Sequence, residues 1–397
     1  MWRFCGRFTL LLFLTLLNCG LHAQGRSPRL GTSTSKSATP IPVIDVTDLY
    51  QPFQDPGDNF DLVTAYALPE VELKAVILDA HAAFRSQIST HPILHDADKN
   101  GPRDPGFISV LQLNYIFNRN VPAAAGPFTM MRTPEDKMLD IPGFQQQGVE
   151  LILRVLKESH ERVTIMSFGS ARPIAVAFNR DPRLFHQKVK RILLSAGSSS
   201  SGYLEWNVAL DPNATVRLLR SDLPIDIYPC ATKGGPFSYE PHNSYWNLPD
   251  LHFIERMDPK LQSYLDYALN RTCKCDFLRA MDPSPAGQMS TQASKELHSH
   301  VHHVWETALW MEISNRRLVR RNDGSFRILP ADQVLPTDTI LTNRLQPVAL
   351  QVADDGTFTY SLTSAKSPFR IYDRGDPALN QNAFREALPE MYLSFHP

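Results

Sequence analysis

The chain is short of several things, and each shortage removes a class of protein. Cysteine is scarce, with five in 397 residues. Cys5 and Cys19 fall in an N-terminal stretch with the form of a secretory signal, which leaves Cys230, Cys273 and Cys275. An odd number allows at most one internal bridge, so a disulfide scaffold is excluded and cohesion must come from a buried core. The 43% of hydrophobic residues can supply it. No Cys or His spacing matches a strong zinc pattern. Neither charge is in excess, Lys plus Arg numbering 40 and Asp plus Glu 41. No basic stripe is interleaved with aromatics, which argues against a nucleic-acid polymer as partner. No repeat recurs at a fixed period. Nor is any apolar run long enough to span a bilayer; that from Phe8 to Leu17 is far too short.

That run follows Arg3 and Arg7 and precedes Leu21-His-Ala23, which offers a small residue at a cleavage position. Residues 1–23 therefore predict a signal peptide, and the protein an exported one, periplasmic or extracellular. A lipid anchor through Cys19 is the weaker alternative, because Leu16-Leu-Asn-Cys19 puts Asn where such signals carry a small residue. Residues 24–41, rich in Ser, Thr, Pro and basic side chains without apolar period, predict a flexible leader. Asn213-Ala-Thr and Asn270-Arg-Thr fit the glycosylation tripeptide, a pattern common by chance.

Beyond the leader, strand-like and helix-like stretches alternate. Val43–Val46, Leu73–Leu78, Val163–Phe168 and Lys190–Ser195 predict strands, while Asp61–Leu68, Gly148–Ser159 and Ile174–Phe178 have helical spacing. Such alternation predicts an α/β domain over 42–330, with a mostly parallel sheet covered by helices on both faces. The 31 prolines predict long ordered loops, above all His91–Gly143 over one end of the sheet. Residues 331–397 predict a small β extension packed on the same domain, with a hairpin turning at Asp354-Asp-Gly356.

Parallel sheets bind ligands at the carboxyl ends of their strands. Asp48, Ser167–Arg172 and Ser195–Ser201 fall there. The stretch Asp48-Leu-Tyr-Gln-Pro-Phe-Gln-Asp-Pro-Gly-Asp-Asn-Phe-Asp61 crowds Asp48, Asp55, Asp58 and Asp61 between two apolar runs. Asp58 and Asp61 share one face of the coming helix, where its dipole favours an anion by roughly 0.3–1 kcal/mol. That accounts for one or two acids. Crowded carboxylates repel unless a cation lies among them, and hard oxygens in number suit Ca²⁺ or Mg²⁺. The plain alternative is a solvated, acid-capped loop.

From Thr47-Asp48 through Asp55-Pro-Gly-Asp58-Asn-Phe-Asp61 to Pro69-Glu-Val-Glu-Leu-Lys-Ala-Val76, the chain resembles the opening of the inosine-uridine preferring nucleoside hydrolases. Gln147–Leu153 leading to Val163–Pro173 is similar to that family's strand and Gly-Pro-Leu-Thr-Asn turn. Glu205-Trp-Asn-Val-Ala-Leu-Asp-Pro-Asn-Ala214 resembles its Glu-Phe-Asn block, and Trp305-Glu-Thr-Ala-Leu309 its late His-Asp element. The resemblance runs from Ile41 to Met311. It implies a calcium-dependent hydrolase of N-glycosidic bonds that releases base and ribose from nucleosides or a related glycoside by attack of a metal-activated water. It further implies Asp48 as general base and ligand, and Asp61, the backbone carbonyl of Arg172 and Glu306 as further ligands. Asp58, Glu205, Trp206 and Asn207 would bind substrate.

Departures leave alternatives open. Asn59 and Phe60 separate acids that are adjacent in the family, residues 49–54 are inserted behind Asp48, and Glu306 and Trp305 replace an Asp and a His. Within His298, His300, His302 and His303, a helix would put His302 or His303 one turn from Glu306, and His303 is taken as the leaving-group acid. The plain reading is that most of these histidines are surface or packing residues. Asp104 and Asn114 could line the mouth or simply form turns. A non-catalytic sugar-binding protein of the same fold is the alternative function. A hydrolase of another glycoside, suggested by Trp206 and the long loop, is a third. Assembly into homo-oligomers and the pairing of the cysteines stay open.

Overall fold

The computed structural model describes residues 39–49, 56–81, 104–269, 299 and 301–397. The signal, most of the leader, Asp55, Asn270, Cys273, Cys275, His298 and His300 lie outside the described residues, as does the loop from His91 to Arg103.

In chain order the elements are β1 (Ile41–Thr47), α1 (Pro56–Ala67), β2 (Val71–Leu78), α2 (Phe107–Ile116), β3 (Ala123–Ala125), α3 (Gly143–Glu158), β4 (Val163–Ser167), α4 (Arg172–Arg180), α5 (Pro182–Lys188), β5 (Val189–Ser195), α6 (Trp206–Leu210), α7 (Pro212–Leu219) and β6 (Ile225–Tyr228). They continue with β7 (Trp246–Leu248), α8 (Pro259–Leu269), β8 (His302–Val304), α9 (Thr307–Ile313), β9 (Arg316–Arg320), β10 (Phe326–Pro330), β11 (Thr339–Ile340), β12 (Arg344–Val352), β13 (Phe358–Leu362), β14 (Phe369–Asp373) and α10 (Pro377–Leu393).

A nine-stranded sheet runs in the order β13-β12-β14-β6-β5-β4-β1-β2-β3. Every neighbouring pair from β14 to β3 is parallel, and β12 and β13 close one edge antiparallel. Strand alternation divides the core between the two faces. Val43 packs in one layer with Phe60, Tyr264, Trp310 and Tyr392, whereas Ile44 and Val46 pack in the other with Ile152, Ile174 and Leu218. Helices thus cover both faces, as the apolar spacing predicts. Chain order reverses between β1 and β4, so a crevice opens beyond their carboxyl ends, where open parallel sheets accept ligands.

Three expectations need correction. The stretch within His91–Gly143 is not all loop, since α2 and edge strand β3 occupy part of it. Phe107-Ile-Ser-Val-Leu-Gln-Leu-Asn-Tyr-Ile carries enough apolar residues to bury a helix, and Asp104 caps it by accepting from the amides of Phe107 and Ile108 (3.1 and 2.8 Å). Asn114 holds Val121 through both its amide nitrogen and its oxygen, a fastening rather than a mouth residue. The C-terminal hairpin does form, β12 pairing with β13, but it continues the main sheet instead of packing on it, because β14 pairs in parallel with β6. Finally, His302 and His303 belong to a strand and not to a helix, β8 pairing antiparallel with β7.

Candidate active site

The crevice at β1 and β4 begins with an acid inside a strand. Asp45 shares its face of β1 with Val43 and Thr47, so it points toward α1. Across from it, Asp61 lies in the second turn of α1, and both are fully buried. Apart from each other's carboxyl, neither oxygen of Asp45 nor Oδ2 of Asp61 meets a hydrogen-bond donor. Burial pushes Asp45 up to about 7, and a hydrogen bond with the neighbouring Asp61 carboxyl offsets this only in part. Asp61 is pushed well above the ordinary range, first by burial and then by Asp45 and Glu306; the indole of Trp310, which donates to its Oδ1, works the other way. Glu306 is buried just before α9 and accepts from the Trp305 amide at 2.9 Å. Asp61, Glu306 and Trp310 line one cavity of about 10 Å³, room for a single water-sized occupant.

Asp48 sits in a neighbouring group. A methyl added at Gly169, just past β4, would stand 2.7 Å from Asp79 Oδ2 and 3.1 Å from Asp48 Cβ, so only glycine lets the two strand ends approach this closely. Asp79 follows β2 and is locked from several sides. Ser170 donates to its Oδ2 from both amide and hydroxyl (2.6 Å each), and Arg172 Nη2 donates to Oδ1 at 3.1 Å. Arg172 opens α4 with a fully buried side chain that also reaches the carbonyl of Pro127 (2.9 Å) and lies 3.7 Å from Asp211. Its guanidinium neutralises this group of acids. Asp211 caps α7 and is pushed up to about 6 by burial, against the pull of Arg172.

Of the residues expected to hold substrate, Asp58 is buried in the first turn of α1, near enough to Tyr264 of α8 to raise its phenol. Glu205 caps α6, accepting from the amides of Gly197 (2.7 Å), Asn207 (3.0 Å) and Val208 (3.3 Å). Burial still pushes it up to about 7. Asn207 donates to the carbonyl of Ser195, and half-buried Trp206 packs toward Ala80, Phe128 and Leu210. Beside Glu306, Trp305 donates to the carbonyl of Cys230 at 3.0 Å, and Trp305, Phe237, Tyr245 and His303 form an aromatic wall. His303 Nδ1 meets the Tyr245 hydroxyl at 2.8 Å, and burial lowers its pKa.

Carboxylate oxygens without neutral donors are what a hard cation would satisfy, and the orphaned hydroxyl of Thr47, on the same face of β1 as Asp45, adds a neutral oxygen. The donor chemistry around Asp45 and Asp61 therefore fits Ca²⁺. Among the described residues, however, no three His, Cys, Asp or Glu side chains form a cluster able to hold a metal, so Asp48, Asp61 and Glu306 do not assemble as one such group. Sequence reasoning missed Asp45, Asp79 and Tyr245. The signal for Asp45 was in view, a charged residue inside the β-branched run Pro42-Val-Ile-Asp-Val-Thr47.

The sequence has relatives among known proteins. Residues 100–287 match the sequence profile of the inosine-uridine preferring nucleoside hydrolases. The chain is 30% identical over 185 residues to the pyrimidine-specific ribonucleoside hydrolase RihA of an Escherichia coli strain, and 32% over 188 residues to RihA of an Enterobacter species. Each match spans 43% of this chain and 56% of the relative, little more than half its length. Among solved structures, a plant nucleoside hydrolase aligns at TM-score 0.48 and 14% identity, over 89% of this chain and 99% of that one. A purine-preferring ribonucleoside hydrolase from Gardnerella vaginalis aligns at 0.48 and 14%, over 88% and 99%. The profile match begins after the acidic opening, which it leaves uncovered.

Proposed function

We propose that the protein hydrolyses the N-glycosidic bond of nucleosides and depends on a divalent cation, calcium by the type of donors offered. The carrying observation is the buried pair Asp45 and Asp61, with Glu306 near enough to raise Asp61, at the switch point of a chain that matches the family profile. Asp45 and Asp61 would hold the cation, with Asp48 at the strand end beside them. When bound, the cation supplies Lewis acidity, lowering the pKa of water and drawing ribose hydroxyls into place.

The chain's own residues account for the rest. Asp48, half-exposed at the end of β1, is the group available to take a proton from the attacking water. As the bond to the base lengthens, positive charge gathers on the sugar, and a pocket of carboxylates stabilises it. The wall of Trp305, Phe237 and Tyr245 offers stacking surface to the departing base. His303, fixed through Nδ1 by Tyr245, can donate a proton to that base. Glu205 and Asn207 act by holding the chain between β5 and α6 in shape.

Ribose release from a panel of purine and pyrimidine nucleosides tests the reading, with and without a calcium chelator and with Asp48→Asn as control. No release from any nucleoside with calcium present would sink it. Calcium-dependent ribose binding without turnover would point to the sugar-binding alternative.

A further inference from the structure

Helix α9 has a second surface. Trp310 turns toward Asp61, whereas Ala308, Met311 and Glu312 line a separate cavity of about 280 Å³, bounded also by β9, the start of β12 and the end of β14. Its apolar wall includes Met311, Leu318 and the stacked ring pair Tyr228–Tyr372, with centroids 5.2 Å apart and planes at 26°.

The polar part of the wall is dominated by arginine, namely Arg316, Arg317, Arg344 and Arg370. Three of these are held in place by carboxylates that do not themselves line the cavity. Glu70 takes Nε and Nη2 of Arg316 (3.1 and 3.0 Å), Asp373 takes the same pair on Arg344 (2.9 and 2.8 Å), and buried Asp226 takes the same pair on Arg370 (2.6 Å each). Glu312, the one carboxylate on the wall, lies 3.6 Å from Arg370 and further neutralises it. Arg317 donates from Nη2 to the Asn315 side chain at 2.8 Å.

Donors remain unused on the other three. Nη1 of Arg316 and of Arg344, and Nε and Nη1 of Arg317, have no acceptor among the described residues. Asn343 adds a buried Nδ2 with no partner, although its oxygen accepts from Tyr372 at 2.5 Å. Guanidinium groups oriented by outside carboxylates, with N–H groups to spare beside an orphaned amide, suit an anion with several terminal oxygens. The aromatic and aliphatic wall suits a flat or aliphatic body on the same molecule.

We propose that this cavity binds a small phosphomonoester, its phosphate on Arg316, Arg317, Arg344 and Asn343 and its body on Tyr228, Tyr372 and Met311. The site is distinct from the acid crevice and touches it only through α9.

Titration calorimetry on the full chain tests this with adenosine 5′-monophosphate, adenosine and inorganic phosphate as probes. Adenosine 5′-monophosphate should bind the Asp61→Asn variant, in which the acid crevice is disabled, as tightly as it binds the unaltered chain. Arg317→Gln and Arg344→Gln should each weaken it by about tenfold, with ribose release from nucleosides and the thermal midpoint unchanged. Four results would overturn the proposal: no binding at millimolar nucleotide; undiminished binding in the variant carrying both Arg317→Gln and Arg344→Gln; binding lost in Asp61→Asn, which would put the ligand in the crevice; or inorganic phosphate or adenosine binding Asp61→Asn as tightly as the nucleotide does. None depends on the chain releasing ribose, so failure of the hydrolase reading would show separately.

Discussion

The acids at the crevice differ in how they are balanced, and that decides what each substitution does. Asp79 has Arg172 and Ser170 as partners, whereas Asp45 has only another acid, Asp61. A buried carboxyl whose only partner is another acid is a cost, so Asp45→Asn should leave stability without calcium equal or higher, while abolishing the rise in thermal midpoint that calcium gives the unaltered chain. Thermal scans with calcium and with chelator check both; a calcium-induced rise that survives in Asp45→Asn would remove Asp45 from the cation site. Glu205 titrates away from those acids and gives a pH signature. Its pKa is about 7 in the folded chain against an ordinary 4.5. Between those values the folded state keeps a proton that the unfolded chain has released, so stability falls as pH rises through that window and levels off above about 7. The loss is on the order of 3 kcal/mol. Glu205→Gln cannot ionise, and urea titrations at pH 5 and pH 8 should show the fall reduced by that amount in the variant, the remainder coming from Asp45, Asp61 and Asp211. His303 bears on chemistry. Its pKa lies below 6.5, so catalysis that needs its proton should strengthen as pH falls toward that value. His303→Gln should cost about 10²-fold on ordinary nucleosides and far less on nitrophenyl riboside, whose leaving group needs no proton. Equal losses on both substrates would make His303 a packing residue.

Elements were legible in proportion to how locally they are determined. The strand and helix that meet at the crevice follow from β-branched residues before Asp48 and helical spacing after Asp61; β1 forms where its signal stands, while α1 starts earlier, at Pro56. Helix α2 was hidden because the prolines and glycines flanking it dominate the reading, while its own residues are apolar with no preferred side. Strand β8 was misjudged because three residues carry no period; its pairing with β7, more than fifty positions away, is what makes it extended. Within the site, Asp48, Asp61 and Glu306 were visible as acids near element ends, yet the partner Asp45 was read only as part of a strand. The difference matters for α10, which sequence reasoning did not separate from its β extension. Tyr392 from that helix packs its ring, tilted by 42°, against Phe60 of α1, at 4.8 Å between centroids, and its hydroxyl lies 3.1 Å from that of Thr64. The C-terminal helix thereby braces the helix that carries Asp61. Tyr392→Ala should cost about 3–5 kcal/mol by urea titration and lower activity with it, whereas Tyr392→Phe should cost about 1 kcal/mol. Equal effects would show that the ring does not brace α1.

At the scale of the molecule, the decisive pairing is β14 with β6, strands separated by well over a hundred residues. No local pattern announces a parallel partner that far away, which is why the C-terminal region reads in sequence as an appendage. In the structure, β6 would become an edge strand without β14, and Asp226 would lose Arg370 while still buried beside Arg191. A buried carboxylate stripped of one of two guanidinium partners destabilises strongly, by about 3–5 kcal/mol where a whole pair is broken. Loss of α10 would also uncover Phe60 and Trp246, against which Tyr392 and Phe384 pack. Residues 39–397 should therefore unfold in a single urea transition, with tryptophan fluorescence and far-ultraviolet circular dichroism coincident. A chain ending at Pro330 should show no cooperative transition. If that truncated chain instead melts cooperatively with the midpoint of the whole, β14 and α10 are an ornament on the fold, and the bracing of Asp61 through Tyr392 has no energetic basis.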